Sequence, residues 1–149
     1  MKTTLDTPLS EADLPPSVPE TVLVVDDQPA LCEVAEMFLS RCGYHVLTAH
    51  NTREAQEIAR QDAHIDLVLT DVEVPGIHGD ELAEWFHTTS PETAVVFMSG
   101  DPIEPRRLGQ HPFIEKPFVH LDALESTIRG TLLSQRIEAG VKERLPALV

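Results

Sequence analysis

Short, almost continuous apolar runs recur along the chain and predict strands that are buried on both faces. The clearest runs, at 22–25, 67–71 and 94–99, are rich in β-branched and large apolar side chains. Two weaker runs, at 44–49 and 113–115, predict a second and a fifth strand in chain order. Because these runs are shorter than a typical helix, we assign all five to strands.

The segments between these runs carry apolar residues at the three- and four-residue spacing of a helix. The first stripe, at 31–42, is followed by Gly43, and glycine is favoured just past a helix end. Asn51 with Glu54 three positions later predicts a capping box at the start of the second helix. Further stripes predict a third and a last helix, at 82–86 and 121–141.

Strands that alternate with helices predict a doubly wound α/β fold, a five-stranded parallel sheet with helices on both faces. Between the fourth and fifth strands, Pro102, Pro105 and Pro112 disfavour a full helix, so we expect a shortened one there. We divide the chain into a flexible, proline-rich acidic leader, an α/β domain and a helical extension or tail, at 1–20, 21–133 and 134–149.

The net charge of −14 narrows the classes of partner. Contacts with phosphate need Lys and Arg, which total 11 against 25 Asp and Glu, so we expect no direct nucleic-acid partner and no anionic membrane partner. No apolar run approaches the roughly 20 residues that cross a bilayer. The start of the sequence also lacks an apolar signal segment, and we therefore expect a cytoplasmic protein.

The cysteines and histidines show no metal-binding spacing. Cys32 and Cys42 lie ten positions apart within one predicted helix, so we expect two buried free thiols in a reducing compartment. The seven histidines are expected to have surface or structural roles.

Polar residues gather where the predicted strands end. Asp26 and Asp27 follow the first strand, Asp71 ends the third, Ser99 ends the fourth and Lys116 follows the fifth. In a parallel sheet these carboxyl ends share one edge, where sites form. Two carboxylates about 5 Å apart repel by about 3 kcal/mol at an effective dielectric of 20, so three carboxylates need a cation. Oxygen ligands suit Mg²⁺, and an added lysine and hydroxyl suit phosphoryl transfer to an aspartate.

In this order, these residues resemble the response-regulator receiver family of two-component signalling. The resemblance covers about 21–133 and implies the sheet order 2-1-3-4-5, as in chemotaxis receivers. It rests on the strand-end aspartates and on the segments that follow, which are Leu67–Asp71 with Pro75 and Gly79, Met98-Ser99-Gly100, and Glu115-Lys116-Pro117-Phe118.

The resemblance implies a role for each matching residue. Asp71 would accept the phosphoryl group with Mg²⁺ as cofactor, and Lys116 would pair with the phosphoryl oxygens. Asp27 would bind the ion directly and Asp26 mainly through water. The backbone carbonyl of Glu73 would complete the metal shell.

Two further residues would carry the signal away from the acceptor. Ser99 would hydrogen-bond a phosphoryl oxygen, and Phe113 stands at the family's aromatic switch position. The Lys116–Pro117 peptide resembles one that is usually cis in the family. Extra acids at Glu73 and Asp101 leave the phosphoryl lifetime open. The shortened helix belongs to the family's usual output face, so the mode of partner binding and a possible homodimer stay open.

The resemblance implies a non-enzymatic phosphoacceptor whose donor is a histidine kinase or a phosphotransfer protein. The residues after Leu133 leave no room for a DNA-binding or catalytic effector domain, so we expect either output through contact with a downstream protein or a role as a phosphate relay or sink. One alternative is an aspartyl-phosphate phosphohydrolase, which needs a second acid two residues after its nucleophile, where Glu73 lies. Another is a receiver module of a hybrid histidine kinase. A phosphate-independent scaffold is disfavoured, because no acid of the site and no lysine is missing.

Overall fold

The described residues of the computed structural model form a parallel sheet flanked by four helices. The structure describes 19–61, 64–73, 76, 78–100, 111–116 and 121–144, with side chains to 138. The elements are β1 (Thr21–Val25), α1 (Pro29–Arg41), β2 (His45–Ala49), α2 (Thr52–Gln61), β3 (Leu67–Asp71), α3 (Gly79–Thr89), β4 (Ala94–Ser99), β5 (Phe113–Glu115) and α4 (Leu121–Arg144). The strand order is β2-β1-β3-β4-β5 with every pairing parallel, which confirms the predicted fold class and order.

Two apolar cores cover the two faces of the sheet, because successive strand residues point to opposite sides. Helices α1 and α4 pack on one face, through side chains that include Cys32, Ala35, Leu39, Leu124, Ile128 and Leu132. Helices α2 and α3 pack on the other, through side chains that include Ala55, Leu82, Ala83 and Phe86. The central strands β1, β3 and β4 are buried along their whole length, as their continuous apolar runs predict.

Helix α1 differs from its predicted pattern at two positions. Gly43 takes a φ of +103° just past the helix, a conformation that favours glycine and ends α1 where the sequence indicates. Val34 belongs to the predicted apolar stripe, yet it is 44% exposed. Cys32 is buried as expected, but Cys42 is exposed, so the expectation of two buried thiols is wrong for Cys42. Cys42 is the C-cap residue of α1, one position past the last helical residue, Arg41, and so it lies beyond the part of the helix that packs on the sheet.

The start of α2 forms half of the predicted capping box. Asn51 Oδ1 accepts a hydrogen bond from the Glu54 backbone N–H at 2.8 Å. The Glu54 carboxylate, however, accepts from the backbone N–H of His50 at 2.8 Å, one residue before the expected donor. The carboxylate therefore ties the end of β2 to the first turn of α2.

Several predictions fall on residues that the structure does not describe. These are the leader up to residue 18, the shortened helix expected between β4 and β5, and the peptide between Lys116 and Pro117. The last helix is continuous from Leu121 to Arg144. Within the described ranges, no helix combines the length and the apolar character needed to cross a membrane.

Candidate functional site

The register of the strands brings the predicted polar residues to one edge of the sheet. Asp71 pairs with Met98 in β4, and Ser99 pairs with Glu115 in β5. The backbone N–H of Lys116 then donates to the carbonyl of Ser99 at 2.9 Å, which continues the ladder past the end of β5. The strands β3, β4 and β5 thus end at the same edge of the sheet, within one residue of one another.

Three carboxylates converge at this edge. Asp26, Asp27 and Asp71 each offer one oxygen, and these oxygens lie within 4.8 Å of one another. Asp26 is fully buried and Asp71 is 8% exposed, whereas Asp27 is exposed. The cluster therefore has two acids set into the sheet and one acid at its rim.

Lys116 joins the two buried acids. Its ammonium donates to Asp26 Oδ2 at 2.7 Å and to Asp71 Oδ2 at 2.8 Å, and its side chain is 11% exposed. Burial lowers the pKa of Lys116, but the hydrogen bonds and charges of Asp26 and Asp71 outweigh burial, so the pKa lies above its ordinary value. Lys116 is thus a cation fixed between the two carboxylates.

The loop after β3 packs closely around the Asp71 carboxylate. Asp71 Oδ1 accepts a hydrogen bond from the backbone N–H of Glu73 at 3.2 Å. The N–H of Gly79 donates to the carbonyl of Val72 at 2.7 Å. A Cβ at Gly79 would lie 2.5 Å from the Asp71 carbonyl oxygen, so only glycine lets α3 begin this close to the strand.

Asp26 uses all of its oxygen atoms. Its Oδ1 accepts from the backbone N–H of Gln28 at 2.8 Å, while Oδ2 binds Lys116. Its carbonyl oxygen lies 3.4 Å from Cys32 Sγ and 3.2 Å from His50 Nδ1. Burial, followed by the charge of Asp26, raises the pKa of Cys32 to about 11, so the thiol keeps its proton and acts as a donor.

Sequence reasoning missed the contacts of Cys32 and His50 with Asp26. Metal-binding motifs are recognised by the spacing between ligand residues along the chain, and such a spacing does not reveal a single histidine that contacts a backbone carbonyl. The available signal was position, because His50 follows β2, the strand next to β1 in the sheet.

The remaining predicted residues lie around this cluster. Ser99 is 4% exposed at the end of β4, and Glu73 is exposed in the loop after Asp71. Phe113 lies on the edge strand β5, opposite Phe97, and is 36% exposed. Of the predicted residues, the structure brings the three aspartates and Lys116 into direct proximity, and Phe113 lies outside that cluster.

The donor set fits a hard divalent cation. Three carboxylates and one ammonium leave two negative charges in a space where Asp26 and Asp71 are largely withdrawn from water. All the ligand atoms that these acids offer are oxygens, and Mg²⁺ binds such sets through one or two carboxylates with waters and phosphate oxygens.

Comparison with known proteins finds a consistent relationship. A family model described as "Response regulator receiver domain" matches residues 22–129. Autoinducer 1 sensor kinase/phosphatase LuxN of Vibrio harveyi is 35% identical over 81 residues, which are 54% of this chain and 9% of that protein. The chain thus spans only a small part of the length of this relative.

Two solved structures show the same fold. A response regulator receiver domain protein (CheY-like) from Methanospirillum hungatei JF-1 has a TM-score of 0.73 and 26% identity, covering 80% of this chain and 98% of that one. Response regulator protein TrrA from Thermotoga maritima, in complex with Mg²⁺-BeF, has a TM-score of 0.64 and 26% identity, covering 75% of this chain and 98% of that one.

Proposed function

The chain belongs to the response regulator receiver domain family, and on that premise we propose that Asp71 accepts a phosphoryl group from a phosphohistidine. The observation that carries this proposal is the position of Lys116, whose ammonium binds Asp71 Oδ2 and Asp26 Oδ2 at once. A cation held against both acids is the arrangement that a carboxylate nucleophile needs, because the incoming phosphoryl group adds negative charge at the same place.

In the proposed reaction a carboxylate oxygen of Asp71 attacks phosphorus in line with the bond to the donor imidazole. The new O–P bond forms as the N–P bond breaks, and the imidazole nitrogen keeps the electron pair and takes up a proton. Asp26, Asp27, Asp71 and the carbonyl of Glu73 would hold Mg²⁺, which supplies charge neutralisation for the phosphoryl oxygens. The similar TrrA structure, with its Mg²⁺-BeF, supports this choice of ion.

Residues of this chain would then respond to the new group. Lys116 retains its bond to Asp26 while its charge pairs with a phosphoryl oxygen, since both acids lie within 2.8 Å of Nζ. Ser99, buried at the end of β4, would donate its hydroxyl to another phosphoryl oxygen. Phe113, 36% exposed on the edge strand, would change rotamer, and the altered surface would bind the downstream partner.

The proposed partners are a histidine kinase or a phosphotransfer protein as donor and a protein as target. The role is stoichiometric, with one phosphoryl group per chain and no turnover of a small substrate. We place it in the cytoplasm, where reduced thiols such as the exposed Cys42 persist.

Intact mass after incubation with acetyl phosphate and Mg²⁺ tests the proposal. The wild-type chain should gain one phosphoryl unit, and it should gain none without Mg²⁺ or as the Asp71→Ala variant. Asp122→Ala, which removes an exposed aspartate from the first turn of α4, is the matched control and should be phosphorylated normally. Phosphorylation of the Asp71→Ala variant would overturn the assignment of the acceptor.

The phosphohydrolase alternative makes a different prediction. It requires the side chain of Glu73 to act on water or on the leaving group, so the protein would release phosphate from p-nitrophenyl phosphate over many turnovers. In the structure the contact between Glu73 and Asp71 runs through the backbone N–H of Glu73, and this favours the receiver role.

A further inference from the structure

Two side chains from other parts of the chain lie within hydrogen-bonding distance of the carbonyl oxygen in the peptide group that links Asp26 to Asp27. His50 Nδ1, just past β2, lies 3.2 Å from the Asp26 carbonyl oxygen, and Cys32 Sγ, on α1, lies 3.4 Å from the same atom. A carbonyl oxygen only accepts, and it has two lone pairs, so both groups donate to it. Either the neutral ring with its proton on Nδ1 or the cationic ring makes this bond.

This carbonyl matters because of what the peptide carries. A peptide group is planar, so fixing its oxygen also fixes the N–H and Cα of the next residue, Asp27. Asp27 is exposed, and within the described part of the chain no hydrogen bond to its carboxylate is seen. The backbone therefore sets the position from which the Asp27 carboxylate reaches toward the site, whereas Lys116 and Gln28 hold the carboxylate of Asp26 directly.

The backbone around His50 is fixed on both sides, which aims its ring. The preceding residue, Ala49, accepts the hydrogen bond of the Asp26 N–H at 3.0 Å. The N–H of His50 itself donates to the Glu54 carboxylate at 2.8 Å, and Asn51 Oδ1 holds the N–H of Glu54. These hydrogen bonds hold the backbone of His50 in place, so that its ring lies beside the end of β1.

We propose that His50 is a positioning residue for the acidic site: its Nδ1–H, together with the thiol of Cys32, orients the Asp26–Asp27 peptide so that the Asp27 carboxylate faces the metal position. This inference rests on the proposed function, in which Asp27 binds Mg²⁺. A side chain outside the acidic cluster then contributes to metal affinity through the backbone.

A set of variants at His50 tests the donor geometry. His50→Asn places an amide N–H where Nδ1 lies and keeps the bond, while His50→Gln places it near Nε2, and His50→Leu removes it. We expect the Mg²⁺ affinity, measured by titration calorimetry on the unphosphorylated chain, to fall about tenfold for His50→Leu and His50→Gln. His50→Asn should stay close to wild type.

The matched control and a second signal separate positioning from a general loss of structure. His45→Leu changes another exposed histidine, at the other end of β2, and should leave Mg²⁺ affinity unchanged. The amide resonance of Asp27 belongs to the same peptide group, so its nitrogen shift in metal-free protein should move in His50→Leu and return in His50→Asn.

The outcomes distinguish this inference from the function on which it rests. Equal Mg²⁺ affinities for wild type and a folded His50→Leu, or an equal loss in His50→Asn and His50→Leu, would overturn the positioning role alone. If His50→Leu does not fold, the comparison of His50→Asn with His50→Gln decides. Equal Mg²⁺ affinities for these two variants would overturn the positioning role. A wild-type chain that binds no Mg²⁺ would overturn the proposed function and this inference together.

Discussion

A side-chain carbon placed on Gly79 would lie 2.5 Å from the backbone oxygen of Asp71, closer than real Cβ atoms approach backbone. The same carbon would lie 2.9 Å from Cα of Val72. Because both neighbours are backbone atoms, relief of the clash requires the loop after Asp71 to move. Gly79 therefore sets the distance between the first turn of α3 and the end of β3.

The variant Gly79→Ala should lower the free energy of unfolding by about 1–3 kcal/mol, the usual cost of forcing an atom into a packed site. It should also slow phosphorylation by acetyl phosphate, since the loop that donates to Asp71 is displaced. Urea titration and intact mass measure the two effects. Gly130→Ala is the control, because nothing lies within 4 Å of its Cβ position in α4, and it should stabilise by about 0.5–1 kcal/mol. A Gly79→Ala variant as stable as wild type would contradict this reading.

Replacing Lys116 by Met should destabilise the protein in magnesium-free buffer. The change leaves the buried carboxylates of Asp26 and Asp71 without their shared cation, a loss of about 3 kcal/mol for a broken buried pair. Adding Mg²⁺ should recover part of the loss in a urea titration. The double variant with Asp71→Asn should also recover part of the lost stability, because one of the two mutually repelling carboxylates is gone. No recovery in either case would show that the lysine acts by packing alone.

Glu20 should make the free energy of unfolding depend on pH in the acidic range. Burial, then the nearby charge of Asp66, raises the pKa of Glu20 above 4.5, and Arg136 offsets this only in part. The folded chain therefore holds this proton more tightly than the unfolded chain, so the group's contribution is fully present below pH 4.5 and is lost as the pH rises through the folded pKa.

The variant Glu20→Gln removes this dependence. Its urea midpoint should exceed that of wild type at pH 7, and the difference should vanish below pH 4.5. Glu36→Gln, an exposed change on α1, serves as the comparison at both pH values. A Glu20→Gln variant that is less stable than wild type at pH 7, with the gap closing on acidification, would mean that the pairing of Glu20 with Arg136 outweighs the burial.

The two cysteines should differ sharply toward iodoacetamide. Cys42 is exposed, whereas Cys32 is 2% exposed and burial raises its pKa to about 11. Because the thiolate is the reactive form, one equivalent should add to the native chain and a second only in urea. Cys42→Ser should abolish the fast addition, as peptide mass mapping would show. Rapid alkylation of Cys32 in the native chain would mean that α1 opens readily.

Local pattern predicts the sheet well and the helix surfaces less well. The runs at β1, β3 and β4 are buried on both faces, so their composition alone marks them. The stripe of α1 includes Val34, which the structure exposes, because a helix buries a narrower face than its apolar residues span. Strand order came from the family resemblance, since no local pattern distinguishes β2 beside β1 from β2 at the far edge.

The site was predictable where it follows from strand ends and unpredictable where it depends on side-chain reach. Asp71 and Lys116 could be placed on one edge from the parallel topology alone. The hydrogen bond of His50 to the Asp26 carbonyl could not, because it depends on which loop lies beside β1 and on the ring's direction. The shift of the Glu54 carboxylate to the N–H of His50 is also a matter of geometry that the capping-box spacing does not determine.

The lysine that completes the site lies 45 positions after Asp71 and 90 after Asp26. A ribosome adds about 5–20 residues per second, so Asp71 is made roughly 2–9 s before Lys116. A nascent sheet that brought Asp26 and Asp71 together during that interval would lack the ammonium of Lys116 between them. Synthesis of β5 and of Lys116 directly after it thus supplies the positive charge that offsets the repulsion between the two buried aspartates.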